Sequence, residues 1–78
     1  ARMVSSDREI KLKRAFGLSD REVEIAVMIC EGFTNKQIAS ALKLTDGTAR
    51  NYISSIYEKM GASSRAEAAA RMKEAIAQ

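Results

Sequence analysis

The sequence predicts an all-α domain, and three observations support this prediction. The 78-residue chain has no proline and no tryptophan and is rich in alanine, lysine, glutamate and isoleucine, which favours helices with short connections over a sheet. Serine or threonine is followed three residues later by glutamate or glutamine at several places, the capping-box pattern of helix N-termini. Apolar residues recur at helical spacing after these positions. We therefore expect no strands.

Capping signals divide the chain into five predicted helices. The complete capping boxes are Ser6 with Glu9, Ser19 with Glu22, Thr34 with Gln37, and Ser64 with Glu67. Thr45 supplies a further cap without the box, because Thr48 stands where the glutamate would be. Gly17, Gly32 and Gly61 follow three of the helices, where a positive φ is least costly for glycine. The predicted helices span residues 7–15, 20–31, 35–41, 46–60 and 65–77.

Apolar periodicity within these helices predicts one small core. A chain of this length buries only about 60% of its unfolded surface, so a single domain is expected, with residues 1–16 as a linker or short helix and residues 17–78 as the domain proper. Ala39 and Ala49 suggest a close crossing of two helices, although alanine is also simply a good helix former. The other predicted core residues are Leu18, Val23, Ile25, Ala26, Met28, Ile29, Cys30, Phe33, Ile38, Ala41, Leu42, Leu44, Tyr52, Ile53, Ile56 and Met60.

Composition excludes several classes of function. One cysteine and no histidine exclude an internal disulfide and the usual zinc clusters. No apolar run approaches the ~20 residues of a membrane span, and the first residues lack the apolar stretch of a signal peptide, so we expect a cytoplasmic protein with no membrane partner. Glu22 and Glu24 are explained by capping and solvation, which leaves no nucleophile and base pair. We expect a binding protein, not an enzyme, with no cofactor or metal.

Because Met3 is not the first residue, the chain is expected to be a fragment or to carry a cloning remnant.

Charge is unevenly distributed along the chain, whose net charge is +3. Residues 1–16 carry five basic and two acidic groups, residues 17–32 carry one and four, and residues 33–61 carry four and two. Residues 62–78 carry three and two. The predicted helix at 20–31 is therefore acidic and stands apart from the mildly basic segment that follows it.

That basic segment contains two short amphipathic helices separated by only a few residues, the pattern of a helix-turn-helix. In the second helix the apolar residues form a stripe along one face. The opposite face carries Arg50, Asn51 and Ser54, as in a helix that reads DNA bases. A guanidinium at position 50 can donate two hydrogen bonds to guanine O6 and N7, and the Asn51 amide can pair with adenine. The alternative is that these polar side chains are simply solvated.

Six further polar residues are candidate contacts to DNA phosphates. They are Thr34, Asn35, Lys36, Thr45, Thr48 and Lys59. The first five lie at predicted helix N-termini, where unpaired backbone N–H groups and the positive end of the helix dipole favour an anion. Capping alone is an alternative role for the threonines, and the lysine at the end of helix 46–60 also complements the negative helix C-terminus.

The last predicted helix offers a surface for pairing two copies of the chain. Ala69, Met72 and Ile76 recur at steps of three and four and exceed what a small core requires, so they predict a weak homodimer seam that can form in solution or only on DNA. The alternative is that they complete the core of one domain. A rival function follows from the same face: a helical protein-interaction module that docks a partner through residues 65–77.

Five sequence blocks, in order and with matching spacing, resemble the LuxR-type helix-turn-helix, also called the GerE or FixJ/NarL type. The resemblance covers Leu18 to about Ala70, and its residues are 18–25, 31–39, 44–52, Ile56, Lys59, Met60 and 64–68. Two positions differ from the usual pattern, with Ala49 in place of valine and Tyr52 in place of histidine.

The resemblance implies the DNA-binding output domain of a bacterial response regulator. It implies four helices, of which the third enters the DNA major groove and the fourth forms the dimer contact, here preceded by a short extra helical or linker segment. Arg50, Asn51 and Ser54 match base-contacting positions. It also implies an N-terminal receiver domain and a cognate histidine kinase. Two DNA half-sites about one helical turn apart are expected, as for helix-turn-helix dimers in general.

Overall fold

Five helices make up the computed structural model, which describes residues 7–78. The helices are α1 (Asp7–Phe16), α2 (Asp20–Cys30), α3 (Asn35–Leu42), α4 (Asp46–Met60) and α5 (Arg65–Ile76). Within the described residues there is no strand, so the all-α prediction is confirmed. Each helix boundary lies within one residue of its prediction. The predicted cap at Ser6 falls outside the described residues.

Helices α2 and α3 both begin with a reciprocal capping box. The backbone N–H of Ser19 donates to Glu22 Oε1 (2.8 Å), and the N–H of Glu22 donates to Ser19 Oγ (3.2 Å). At α3 the N–H of Thr34 donates to Gln37 Oε1 (2.9 Å), and the N–H of Gln37 donates to Thr34 Oγ1 (3.1 Å). Each box satisfies two backbone donors that a helix N-terminus leaves unpaired, so these starts are fixed locally.

The other two caps are incomplete. Thr45 Oγ1 accepts from the N–H of Thr48 at 3.1 Å without a returning side chain, as the sequence predicts. Ser64 Oγ likewise accepts from the N–H of Glu67 at 3.1 Å. The predicted return bond is absent there, because the Glu67 carboxylate accepts instead from the N–H (2.6 Å) and hydroxyl (3.0 Å) of Ser63.

Left-handed residues end several of the helices. The predicted glycines after α1, α2 and α4 all have positive φ, and Gly61 caps α4 at φ 68°. Helix α3 is capped instead by Lys43, which adopts φ 57° without being glycine. Residues other than glycine are disfavoured in this conformation. The sequence therefore carries no glycine signal for the end of α3.

The core is a single cluster built from all five helices. Its members are Leu12, Leu18, Val23, Ile25, Ala26, Ile29, Ile38, Ile53, Ile56, Met60, Ala68 and Met72. Ala39 and Ala49 are also buried, on α3 and α4, which pack together. Ala41 is exposed, so its predicted core position is wrong: the buried stripe of α3 runs through Ile38, Ala39 and the half-buried Leu42.

Helix α1 is an integral part of this core. The described part of residues 1–16 forms the predicted short helix, not a linker, and its Leu12 is completely buried. Arg8 pairs with Glu31 at 3.1 Å, and Lys13 pairs with Asp20 at the opposite end of α2. The basic N-terminal helix thus lies against the acidic helix α2, which explains the charge segregation in the sequence.

Candidate nucleic-acid interface

Helix α4 presents the three predicted base-contacting residues on its solvent side. Arg50, Asn51 and Ser54 are exposed, whereas the opposite stripe of the helix is buried against the core. The buried stripe consists of Ala49, Ile53, Ile56 and Met60. Helix α4 is therefore held by one face and leaves the other face open along its first turns.

A shallow groove joins the exposed side of α4 to the start of α3. Its lining residues are Asn35 and Lys36 from the first turn of α3, and Asp46 and Arg50 from the first turns of α4. The structure thus brings a predicted base-contacting residue beside two predicted phosphate-contacting residues. Asp46 also lies in the first turn of α4, where a carboxylate complements the positive end of the helix dipole.

The three threonines near this groove are exposed, and two of them are helix caps. Thr34 caps α3 and Thr45 caps α4 through the bonds described above. The hydroxyl of Thr45 also donates to Thr48 Oγ1 at 2.9 Å. Capping is therefore the observed role of Thr34 and Thr45, and contact with phosphate remains a prediction for all three.

The sequence predicted that Lys59 contacts a DNA phosphate, and in the structure its side chain forms an ion pair. Its Nζ lies 2.8 Å from Glu22 Oε1 and 3.5 Å from the carbonyl oxygen of Gly17. The Glu22 side chain is only 7% exposed, and a buried carboxylate needs a counter-charge. This ion pair joins α4 to α2, and because the Lys59 side chain is still 41% exposed, its contact with a phosphate remains a prediction.

Glu22 is the centre of a small polar network that fastens α4. Its second carboxylate oxygen accepts from the Ser55 hydroxyl at 3.0 Å, in addition to the bonds from Lys59 and the Ser19 N–H. The hydrogen bond from Lys59, followed by those from Ser19 and Ser55, lowers the Glu22 pKa to about 2 against the opposing effect of burial. The sequence pattern indicated only a capping role for Glu22, because its partners on α4 lie more than 30 residues away in the chain.

Arg65 is a second residue whose role the sequence did not reveal. It begins α5, and its guanidinium donates to the carbonyl oxygen of Phe33 and to Asn35 Oδ1, the latter at 3.3 Å. These contacts connect α5 to the joint between α2 and α3, some 30 residues earlier in the chain. No local pattern in the sequence indicates such a pairing.

The predicted pairing face on α5 is smaller than the sequence suggested. Met72 is completely buried in the core of its own domain, so its prediction as a dimer contact is wrong. Ile76 is half-buried against the core and Ala69 is half-buried. Lys11 of α1 also donates to the carbonyl oxygen of Ile76 at 3.1 Å. A dimer contact through Ala69 and Ile76 remains a prediction.

Two other features bear on function. Residues 7–78 contain no group of three or more histidine, cysteine, aspartate or glutamate side chains placed to hold a metal ion. Within the same residues, no helix combines the length and apolar character that crossing a membrane requires.

The fold and the exposed face of α4 define a helix-turn-helix domain of the kind that binds DNA. Residues 17–72 match the family model of bacterial regulatory proteins, luxR family, and the chain belongs to this family of DNA-binding transcription regulators, which is not a class of enzymes. The predicted resemblance is thereby confirmed. No solved structure matches the chain at a significant level.

Several bacterial regulators are similar to the chain. Transcriptional regulatory protein DesR of Bacillus subtilis is 46% identical over 57 residues, which cover 73% of this chain and 29% of DesR. DNA-binding transcriptional activator DevR/DosR of Mycobacterium tuberculosis is 42% identical over 53 residues, 68% of this chain and 24% of its own length. Response regulator protein VraR of Staphylococcus aureus is 37% identical over 51 residues, 65% of this chain and 24% of VraR. The chain spans less than a third of the length of these relatives.

Proposed function

We propose that the chain recognises double-stranded DNA by placing α4 in the major groove, and that two copies occupy two half-sites about one helical turn apart. The observation that carries the proposal is the groove in which Arg50 of α4 lies beside Asn35 and Lys36 of α3. A basic side chain that can reach base edges there adjoins a helix N-terminus that can hold a phosphate.

The exposed residues divide into two roles on this surface. Arg50, Asn51 and Ser54 contact base edges, since they lie on the open side of α4. The phosphate contacts are Thr34, Asn35, Lys36, Thr45 and Thr48. Contacts to phosphate position the domain, whereas contacts to bases determine the sequence that it binds.

We propose further that this DNA-binding domain is part of a longer protein. Because VraR is named a response regulator, we infer that the chain is the C-terminal effector domain of a two-component response regulator in the bacterial cytoplasm. A receiver domain would precede it and accept a phosphoryl group from a cognate histidine kinase. Phosphorylation would raise pairing of two copies through α5, at Ala69 and Ile76, and thereby raise DNA affinity.

The affinity for DNA is expected to depend steeply on salt. Each phosphate that a basic side chain neutralises releases counterions, so the logarithm of the binding constant should fall linearly with the logarithm of salt concentration. Fluorescence anisotropy on a labelled duplex measures this slope. Lys36→Gln should reduce the slope by about 1, whereas Lys73→Gln, an exposed lysine on α5, should leave it unchanged. A flat series for the wild-type domain would overturn the proposed function.

Arg50→Ala is expected to relax specificity at one base position. The loss of two hydrogen bonds to guanine should cost about 1–3 kcal/mol there, with little effect at other positions. Because Arg50 is exposed, stability should not change, which thermal unfolding can verify. Binding to duplexes that differ at single positions is the measurement. Unchanged binding to every duplex would contradict base contact by Arg50 and favour the protein-interaction module. An equal loss on every duplex would show a phosphate contact.

Gly47 is expected to allow close approach of the DNA backbone. It lies in the first turn of α4, and an added Cβ would meet no atom within 4 Å. Gly47→Ala should therefore raise the free energy of unfolding by about 0.5–1 kcal/mol while weakening DNA binding. Denaturation and anisotropy measure the two effects. Higher stability with unchanged affinity would remove Gly47 from the interface.

A further inference from the structure

Arg65 holds both sides of the N-cap of α3. The cap residue is Thr34, and the guanidinium donates to the carbonyl oxygen of Phe33 just before it and to Asn35 Oδ1 just after it. Phe33 is also held from the other side, since its N–H donates to the carbonyl oxygen of Met28 at 3.0 Å. The N-terminus of α3 is therefore fixed from α2 and from α5 at once.

The contact with Asn35 also decides which end of its amide faces outward. A guanidinium can only donate hydrogen bonds, so the amide atom beside Arg65 must be the oxygen. The NH₂ group of Asn35 then lies on the other side of the amide and is free to donate, and Asn35 lines the same groove as Lys36 and Arg50. A phosphate oxygen can only accept, so only this orientation of Asn35 suits it.

We propose that Arg65 is a positioning residue for DNA binding: it orients the Asn35 amide and the start of α3 toward a DNA phosphate and couples α5 to that contact. This inference rests on the proposed function. The partner is the phosphodiester backbone, reached through Asn35.

A direct contact between Arg65 and phosphate is the competing explanation, and the salt slope separates the two. Removing a side chain that itself neutralises a phosphate lowers the slope by about 1. Removing a residue that orients the uncharged Asn35 amide weakens binding and leaves the slope nearly unchanged.

The test is a double-mutant cycle with Arg65→Met and Asn35→Ala, measured by anisotropy on one duplex across a salt series. Arg65→Met retains most of the side-chain length but donates no hydrogen bond. It is expected to weaken binding about 2- to 10-fold, the equivalent of one lost hydrogen bond. In the Asn35→Ala background its effect should be clearly smaller, because only the contact with the Phe33 carbonyl oxygen is then left to lose. Arg71→Met is the matched control, because Arg71 lies on the same helix and its guanidinium pairs with Glu67 of α5.

Arg65→Lys provides a second variant if Arg65→Met does not fold. It retains the charge but lacks the planar fork that spans two acceptors, so weakened binding with an unchanged slope is again expected. Additive effects in the cycle, a slope lower by about 1, or wild-type affinity in both Arg65 variants would overturn the inference while leaving DNA binding intact. Failure of the wild-type domain to bind any duplex would instead overturn the proposed function.

Discussion

Replacing Leu12 with alanine is expected to lower the free energy of unfolding by about 2–5 kcal/mol, the range for a leucine removed from a packed core. Leu12 is completely buried, and α1 packs against both α2 and α5. The lost side chain would leave a cavity that three helices border. Urea denaturation followed by circular dichroism measures the change.

Ile10→Ala is the matched control on the same helix. Ile10 is 36% exposed, so its truncation removes less buried surface and should have a clearly smaller effect. If Leu12→Ala unfolded at the wild-type urea concentration, α1 would be a detachable segment and the domain would begin at Gly17, as the sequence boundary predicts. A large effect would place α1 within the folding unit.

Acid is expected to remove about 3 kcal/mol of stability through Glu22 alone, because lowering a pKa by one corresponds to roughly 1.4 kcal/mol. The Glu22 pKa is about 2 in the folded domain, against 4.5 as the reference for an unperturbed glutamate. A carboxyl with a lowered folded pKa stabilises the fold fully above its unfolded pKa and loses that contribution as pH falls through the folded value. The loss should therefore develop between about pH 5 and pH 2. Denaturation curves at a series of pH values measure it.

Glu22→Gln should abolish most of this acid sensitivity and lower stability at neutral pH, because the ion pair with Lys59 is lost. Glu24→Gln serves as the control, since Glu24 is an exposed carboxylate on the same helix and its replacement should preserve the acid transition. An identical pH dependence in the wild type and Glu22→Gln would show that the network does not stabilise the fold.

Local signals were sufficient to predict the helices. A capping box such as Thr34 with Gln37 lies within four residues, and an apolar stripe such as that of α4 repeats within one helix, so both are visible in the sequence. The end of α3 at Leu42 was placed within one residue, even though the left-handed residue that caps it, Lys43, is not glycine. The exposure of Arg50 and Asn51 followed from the same helical periodicity.

Contacts between distant residues could not be predicted in this way. Lys59 and Glu22 are 37 residues apart, and a helix pattern gives the direction of a side chain without revealing its partner. Met72 shows the same limit: its stripe on α5 was recognised as apolar, but α1 and α2 both pack on that helix. Periodicity alone could not distinguish a face covered by the domain itself from one left for a second copy.

The position of the acidic helix α2 differs from the one that the charge pattern predicted. The acidic helix was predicted to stand apart from the DNA-binding unit, but the structure joins it to α4 through the ion pair between Glu22 and Lys59. Two of its other charges face Arg8 and Lys13 of α1. Exposed ion pairs of this latter kind contribute little to stability.

Selection of duplexes from a random DNA pool tests the central claim most directly, because the claim is that α4 reads bases. The wild-type domain is expected to enrich a defined sequence with two half-sites whose centres lie about 10 base pairs apart, and Arg50→Ala should lose the preference at one position of each half-site. Recovery of unenriched, random sequences by the folded wild-type domain would contradict the account.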